Sequence, residues 1–250
     1  MKRLGIMAAL PQELGDLIAQ MRSAGEVRTV TLGRRDYYVG DVHGLAVVVT
    51  LARIGKVAAA ATASALIHVF EADAIVFTGV AGGVRADVQV GDVVVADALM
   101  QHDLDASPLF PRFEVPLLDR AHFHADRAFA DALAAAADAF IAEEGGVLSE
   151  RFAVNAPRVH RGLVVSGDRF IASHEALFAL RDALPDALAV EMEGAAIAQV
   201  CYEHDVPCAV VRTISDTADA AAPASFAEFL ASIASTYSSG ILSRFLRARF

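Results

Sequence analysis

No apolar run in the sequence reaches the roughly 18 residues that a membrane-spanning helix needs. The stretch MKRLGIMAALPQE is interrupted by Pro11 and Glu13 too early to serve as a secretory signal, so a cytoplasmic location is expected. Cysteine is scarce as well. Cys201 and Cys208 are too few for a disulfide framework and lack metal-ligand spacing, and both read as buried reduced thiols. Positive charge is in deficit, with 21 basic against 31 acidic residues and a formal charge of -10. That balance argues against a nucleic-acid backbone or an anionic membrane as partner. The basic residues that do cluster, Arg244, Arg247 and Arg249, fall in the last turns of a terminal helix, where they complement its dipole.

Familiar site signatures are missing too. The loop GVAGGV fails G-x-G-x-x-G, and IGKV at 54 to 57 lacks the upstream glycine and the Ser/Thr of a P-loop. Neither a dinucleotide nor a nucleoside triphosphate is expected. With no G-x-S-x-G elbow, Ser166 in VVSGD reads as structural rather than nucleophilic. His122, His124 and Asp126 in HFHAD stand just before a helix, where a solvated or capping role fits better than metal ligation. No metal and no organic cofactor is implied.

What is present is an apolar chain, 55% by composition, able to bury a large core in a single domain spanning 1–250. Short β-rich runs alternate with longer helical ones, the pattern of an α/β fold with a central mixed sheet flanked by helices. LGIMAAL reads as a buried strand, QELGDLIAQMRSAG as a helix, and VRTVTLG, RDYYVGDVHG and LAVVVTLA as an antiparallel meander. KVAAAATASALIHVF is helical, ADAIVFTGVAGG a strand running into a glycine loop, and VGDVVVADALMQHD a strand. LDASPLFPRFEVPLLDR holds three prolines and no helical period, which predicts a long surface loop. Then come a helix in DRAFADALAAAADAFIAEEG, a strand in RGLVVSGDRF, a helix in HEALFALRDAL and a strand in ALAVEM. CAVVRTISD closes the sheet, and SFAEFLASIASTYSSGILSRFLRARF reads as one long helix.

Polar residues gather at predicted strand ends, where α/β folds place ligands. Glu13 follows the first strand, Gly79 to Gly83 also follow a strand, Glu191 and Glu193 follow ALAV, and Arg212, Ser215 and Asp216 end CAVVRTISD. Each has a bland reading: Glu13 as a first-turn acid, Asp216 as a cap, the glycines as turn residues. Glu191 and Glu193 equally suit the positive end of a helix that packs through Gly194, Ala195, Ala196 and Ala198. The sharper reading is a carboxylate that binds ribose hydroxyls, since an ionised acid offers only acceptors.

Taken together, IMAALPQEL, RIGKVAAA, FTGVAGG, VGDVVVAD, QHDLDAS, VVSGDRFI, AVEMEGAAIAQV and VVRTISD resemble the nucleoside phosphorylase and nucleosidase superfamily. Their order and spacing are most similar to the 5'-methylthioadenosine/S-adenosylhomocysteine nucleosidases, from residue 4 to about 230. The resemblance implies a nucleoside phosphorylase-like α/β domain, a nucleoside substrate and a homodimer whose subunits complete each other's pockets. It implies that Asp216 protonates N7 of adenine, with Ser215 holding it, and that Glu13 activates the attacking water beside Arg212. Glu193 would grip the ribose 2' and 3' hydroxyls, Met192 would pack on the sugar, and Phe170 would stack on adenine while the Ile171 backbone reads its amino edge. Val80, Ala81 and Gly82 would line the substrate, and Leu109 and Phe110 would supply an apolar pocket for the 5' thioether across the dimer.

Two places depart from the family pattern. Gly-Ala-Met before the glutamate and the serine of T-G-S-A-G-G are replaced by Ala8, Ala9, Leu10 and Val80. Three rivals follow from the same residues. A phosphorylase would bring phosphate to C1', but Phe77 occupies a phosphate-arginine position and Glu13 repels an anion. A futalosine hydrolase-like nucleosidase would change the nucleoside. A binding protein without turnover could dispense with Glu13 or Asp216, yet both are in register.

Overall fold

Every residue of one strand, Ala74–Gly83, is buried, and the rest of the sheet is arranged around it. In the computed structural model, which describes residues 2–152 and 154–248, ten strands form one mixed sheet. In chain order these are β1 (Leu4–Ala8), β2 (Arg28–Leu32), β3 (Arg35–Val42), β4 (Leu45–Leu51), β5 (Ala74–Gly83), β6 (Val93–Gln101), β7 (His122–His124), β8 (Val159–Ser166), β9 (Ala187–Glu191) and β10 (Cys208–Asp216). The helices are α1 (Leu17–Ala24), α2 (Lys56–His68), α3 (Arg127–Phe152), α4 (His174–Ala183), α5 (Gly194–Glu203), α6 (Ala222–Ser232) and α7 (Ala234–Ala248).

β5 pairs in parallel with β1 and β10 and, through Gly82 and Gly83, antiparallel with β9. β9 continues to β8, β8 to β6, and β6 returns to β10. Five strands therefore close on themselves, while β1, β4, β3 and β2 extend as an open arm. The antiparallel meander β2, β3 and β4 matches the sequence expectation. Ring closure brings the carboxyl ends of β5 and β10 beside that of β9. Strands buried on both faces need apolar runs, which IVF and AVV supply before the polar residues Thr78, Arg212 and Thr213.

Two apolar layers cover the sheet. On one side Leu133, Ala137 and Phe140 of α3 meet Tyr237, Ile241 and Phe245 of α7. On the other, Ala59 and Ala63 of α2 meet Ala195 and Ala198 of α5, a contact close enough to need small side chains. Cys201 and Cys208 are free and buried, as expected. Among the described residues no helix is long and apolar enough to cross a membrane.

Several element boundaries correct the sequence reading. The first predicted helix is split into a 3-10 turn, Pro11–Leu14, and α1, because Gly15 lies between them at φ 55 and a Cβ there would meet Ser239 Oγ at 2.1 Å. α3 runs past Gly145 to Phe152, and the buried Leu148 explains why the glycines do not end it. The terminal helix is two helices, broken where Ile233 leaves helical dihedrals at φ -136 and buries its side chain. His122 and His124 lie in a short strand on β6 with exposed side chains, and Asp126 caps α3 by accepting the Phe129 amide at 3.0 Å. Arg244 donates to the Gly240 carbonyl and pairs with Glu143, while Arg249 lies outside the described residues.

Candidate active site

The 3-10 turn that follows β1 opens on Pro11, whose fixed φ suits such a start, and it turns Glu13 back under its own backbone. Glu13 Oε2 accepts the amides of Ala9 and Leu10 at 2.9 and 2.6 Å, and Oε1 accepts that of Val80 at 2.9 Å. A carboxylate has about four acceptor positions, so one remains open. Burial raises the Glu13 pKa, and the Arg212 charge and the three amides only partly offset it.

Arg212 comes from β10 and is fully buried behind the cavity. Its Nη2 donates to Glu191 and, at 3.2 Å, to Glu193, while its guanidinium lies 3.9 Å from the Phe77 ring centroid. Burial by itself would lower its pKa, but Glu191, Glu193 and Glu13 outweigh that and raise it. Gly79 permits this approach: a Cβ there would stand 2.0 Å from Arg212 Nη1 and 2.6 Å from Glu13 Oε1. The predicted glycine loop is thus not a loop. It is the end of β5, kept free of side chains where charged groups close in.

The two glutamates of VEME have different surroundings. Glu191 accepts from Ser166 Oγ, from the amides of Glu193 and Gly194 at 3.2 and 2.9 Å, and from Arg212. Those amides open α5, so Glu191 sits at the positive helix end in agreement with the bland reading. Ser166 accepts the Ala195 amide at 2.7 Å, which accounts for it structurally. Glu193, one residue before α5, reaches across to the Gly55 amide at 2.9 Å. Burial, followed by the Glu191 charge, pushes its pKa up to about 8. At Gly55 the chain enters α2, and the next amide, of Lys56, is accepted by Asp168 at 2.8 Å. Lys56 Nζ then binds Asp103 at 2.5 Å, which ties IGKV to VVSGD and QHD.

Asp216 ends β10. Its Oδ2 accepts from Ser215 Oγ and its Oδ1 from the Ala218 amide, both at 2.8 Å, and burial raises its pKa. A Cβ on Gly82 would lie 2.9 Å from Asp216 Oδ1, so this glycine too makes room for a carboxyl.

One cavity of about 320 Å³ is lined by Glu13, Val80, Ala81, Gly82, Phe170, Ile171, Met192, Glu193, Ser215 and Asp216. Ten of the thirteen sequence-predicted residues therefore meet there. Arg212 does not line it. Leu109 and Phe110 do not either; Leu109 is 84% exposed in the Pro-rich loop. Phe170 is partly open and meets Phe226 edge to face at 5.6 Å. Sequence reasoning missed Ile54, Arg169, Ala218 and Phe226 on the wall, since none stands in a polar strand-end pattern. Among the described residues no group of three or more His, Cys, Asp or Glu is placed to hold a metal ion.

Such an arrangement suits splitting a glycosidic bond: three buried carboxyls with raised pKa values, Glu13 rich in amide donors, Asp216 beside a hydroxyl and Glu193 on the Gly55 amide, around a largely apolar cavity. Comparison with known proteins agrees. A family model described as the phosphorylase superfamily matches residues 3–247. The 5'-methylthioadenosine/S-adenosylhomocysteine nucleosidase from Neisseria meningitidis, in complex with methylthio-immucillin-A, is 34% identical with a TM-score of 0.87, covering 99% of this chain and 100% of that chain. S-adenosylhomocysteine nucleosidase from Streptococcus pyogenes, in complex with 5-methylthiotubericidin, is 31% identical with a TM-score of 0.84, covering 100% and 98%. Futalosine hydrolase of Helicobacter pylori is 30% identical with a TM-score of 0.81, covering 97% of each chain. The chain belongs to the phosphorylase superfamily.

Proposed function

We propose that this chain is a hydrolase that cleaves the N-glycosidic bond of 5'-methylthioadenosine and S-adenosylhomocysteine, releasing adenine and the 5-thioribose product. The observation that carries this reading is the presence of Glu13 and Asp216, beside Glu193, on the wall of one cavity, all three buried carboxyls with pKa values raised by burial. Breaking the bond leaves negative charge on the base and positive charge on the ribose ring, so a proton donor and a water activator are both required. Asp216, kept protonated nearer neutral pH, donates to N7 and makes adenine a better leaving group. Glu13, ionised, uses its open acceptor position to take a proton from water attacking C1'. Such a division between acid and base is the inverting glycosidase logic applied to nitrogen.

Substrate positioning follows from the same wall. Phe170 offers a ring face to the base and the Ile171 backbone reads its amino edge, while Met192 and Glu193 hold the ribose. Water is favoured over phosphate because the wall carries one cation, the exposed Arg169, and Arg212 already serves two carboxylates. A phosphate dianion would meet Glu13 and Glu193 without a cation free to pair with it. The chain works as a homodimer in which Leu109 and Phe110 of one copy close the 5' end of the other's cavity. Support comes from their place in an exposed loop and from the open apolar rim at Ile54, 52% exposed.

The reaction is tested by product analysis with methylthioadenosine, S-adenosylhomocysteine and futalosine, with and without phosphate. Free thioribose and adenine at phosphate-independent rates are expected. A ribose-1-phosphate product that requires phosphate would overturn the hydrolase, and turnover of futalosine alone would overturn the substrate.

A further inference from the structure

A second depression adjoins the candidate active-site cavity, and the two share Ala9, Leu10 and Ile54 as a common wall. It is basic, lined by Arg34, Arg35 and Arg53, with Asp36 also on its wall. In a chain with a formal charge of -10, three arginines on one small surface run against the overall balance. Their hydrogen bonds go to carbonyls only: Arg35 donates to Gly33 and Ala52 at 3.2 Å, and Arg53 to Arg34. Among the described residues, none of the three meets a carboxylate within 4.0 Å. Three guanidinium groups are thus left without an anionic partner.

Their backbone is also unusual. Gly33 and Arg34, at φ 57 and 60, form the two-residue turn between β2 and β3, and Arg53 has φ 70. Glycine or asparagine is the usual occupant of such positions, so a long charged side chain there is not explained by turn chemistry. The connection to the cavity runs along three consecutive residues. The Gly55 amide binds Glu193, Ile54 lines both spaces, and Arg53 lines the outer one.

We propose that this depression receives the charged end of a 5' substituent, an amino-acid zwitterion, with Arg34, Arg35 and Arg53 facing the carboxylate and Asp36 the ammonium. The assignment rests on the nucleosidase reading above and deepens it. Gly55 binds Glu193 and its neighbour Ile54 lines both spaces, so a substituent that passes Ile54 enters the arginine-lined depression. The site therefore discriminates between S-adenosylhomocysteine, which has such a tail, and methylthioadenosine, which does not. Rim charges of this kind act on encounter and are screened by salt.

The test compares kcat/KM for S-adenosylhomocysteine, its carboxyl methyl ester and methylthioadenosine in wild type and in Arg34→Gly, Arg53→Gly and the double variant. Glycine suits both left-handed positions, so the variants keep the fold, which thermal melting checks. The double variant is expected to reduce the preference for S-adenosylhomocysteine over methylthioadenosine by about tenfold. High salt should have a similar effect on wild type, and the ester should react like the double variant's acid substrate. An unchanged ratio in folded variants, or equal rates for acid and ester in wild type, would overturn the subsite while leaving the nucleosidase reading standing. If wild type releases adenine from none of the three, that reading fails and the subsite with it.

Discussion

Arg212 and Glu191 form an ion pair with side chains 0% and 2% exposed, and this pair holds the end of β9 and the start of α5 to the middle of β10. Glu191 also receives Ser166 and the first amides of α5, so it spends its acceptors on scaffold. Removing one partner of a desolvated pair strands the other charge. Glu191→Ala should therefore lose about 3–5 kcal/mol of stability, read by urea unfolding. A loss below about 1 kcal/mol, within the range of ordinary surface pairs, would contradict this assignment.

Glu193 has a different task. Two of its acceptor positions serve Gly55 and Arg212, and the residue lines the cavity with acceptors to spare, whereas Glu191 on the same wall has its acceptors taken by Ser166, Arg212 and the α5 amides. Glu193→Gln should lose much of the preference for a substrate with intact ribose hydroxyls over its 2'-deoxy analogue. In Glu191→Gln that preference should survive even if total activity drops. Parallel changes in both variants would remove the distinction.

Stability should fall as pH rises across the neutral range. The native pKa of Glu193 is pushed up to about 8, while the unfolded chain titrates near 4.3. Between those values the native state holds a proton that the unfolded state has released, so ΔG of unfolding has a negative slope with pH. The contribution is fully present below the unfolded value and is lost as pH passes the folded one. Glu13 and Asp216 are shifted in the same direction. Melting temperatures measured from pH 5 to 9 should decline, and Glu193→Gln should flatten the curve; a rise with pH would contradict the raised pKa values.

The Leu109 and Phe110 assignment depends on a second copy of the chain. Replacing both by serine should raise KM for methylthioadenosine far more than for adenosine, because only the former has a 5' thioether to lose its apolar contact. Sedimentation at assay concentration should show a dimer in wild type. Equal KM effects on the two nucleosides would refute the contact.

Much of this site is legible in the sequence because its polar residues terminate apolar strands. Glu13 follows Pro11 after LGIMA, and Ser215 and Asp216 end CAVVRTI, so strand patterning places each at a strand end, and the resemblance of the whole set of motifs assigns them to one site. The glycines of GVAGG were equally visible, but not their purpose. Gly79 and Gly82 yield space to Arg212, Glu13 and Asp216, groups far away in sequence, and only the closure of β5 onto β10 makes that proximity apparent. Glu191 and Glu193 look alike for the same reason. What separates them is contact with Ser166 and Gly55, 25 and 138 residues away. The helix break at Gly15 has a local cause in glycine's freedom at positive φ, whereas that at Ile233 follows from packing, which no local propensity encodes.

Asp216 as acid and Glu13 as base are tested most directly by single-turnover adenine release from methylthioadenosine in wild type, Asp216→Asn and Glu13→Gln. Each variant should bind the nucleoside yet release adenine slower by about 10²–10⁴-fold. Adenine release from Asp216→Asn at the wild-type rate would contradict the central claim.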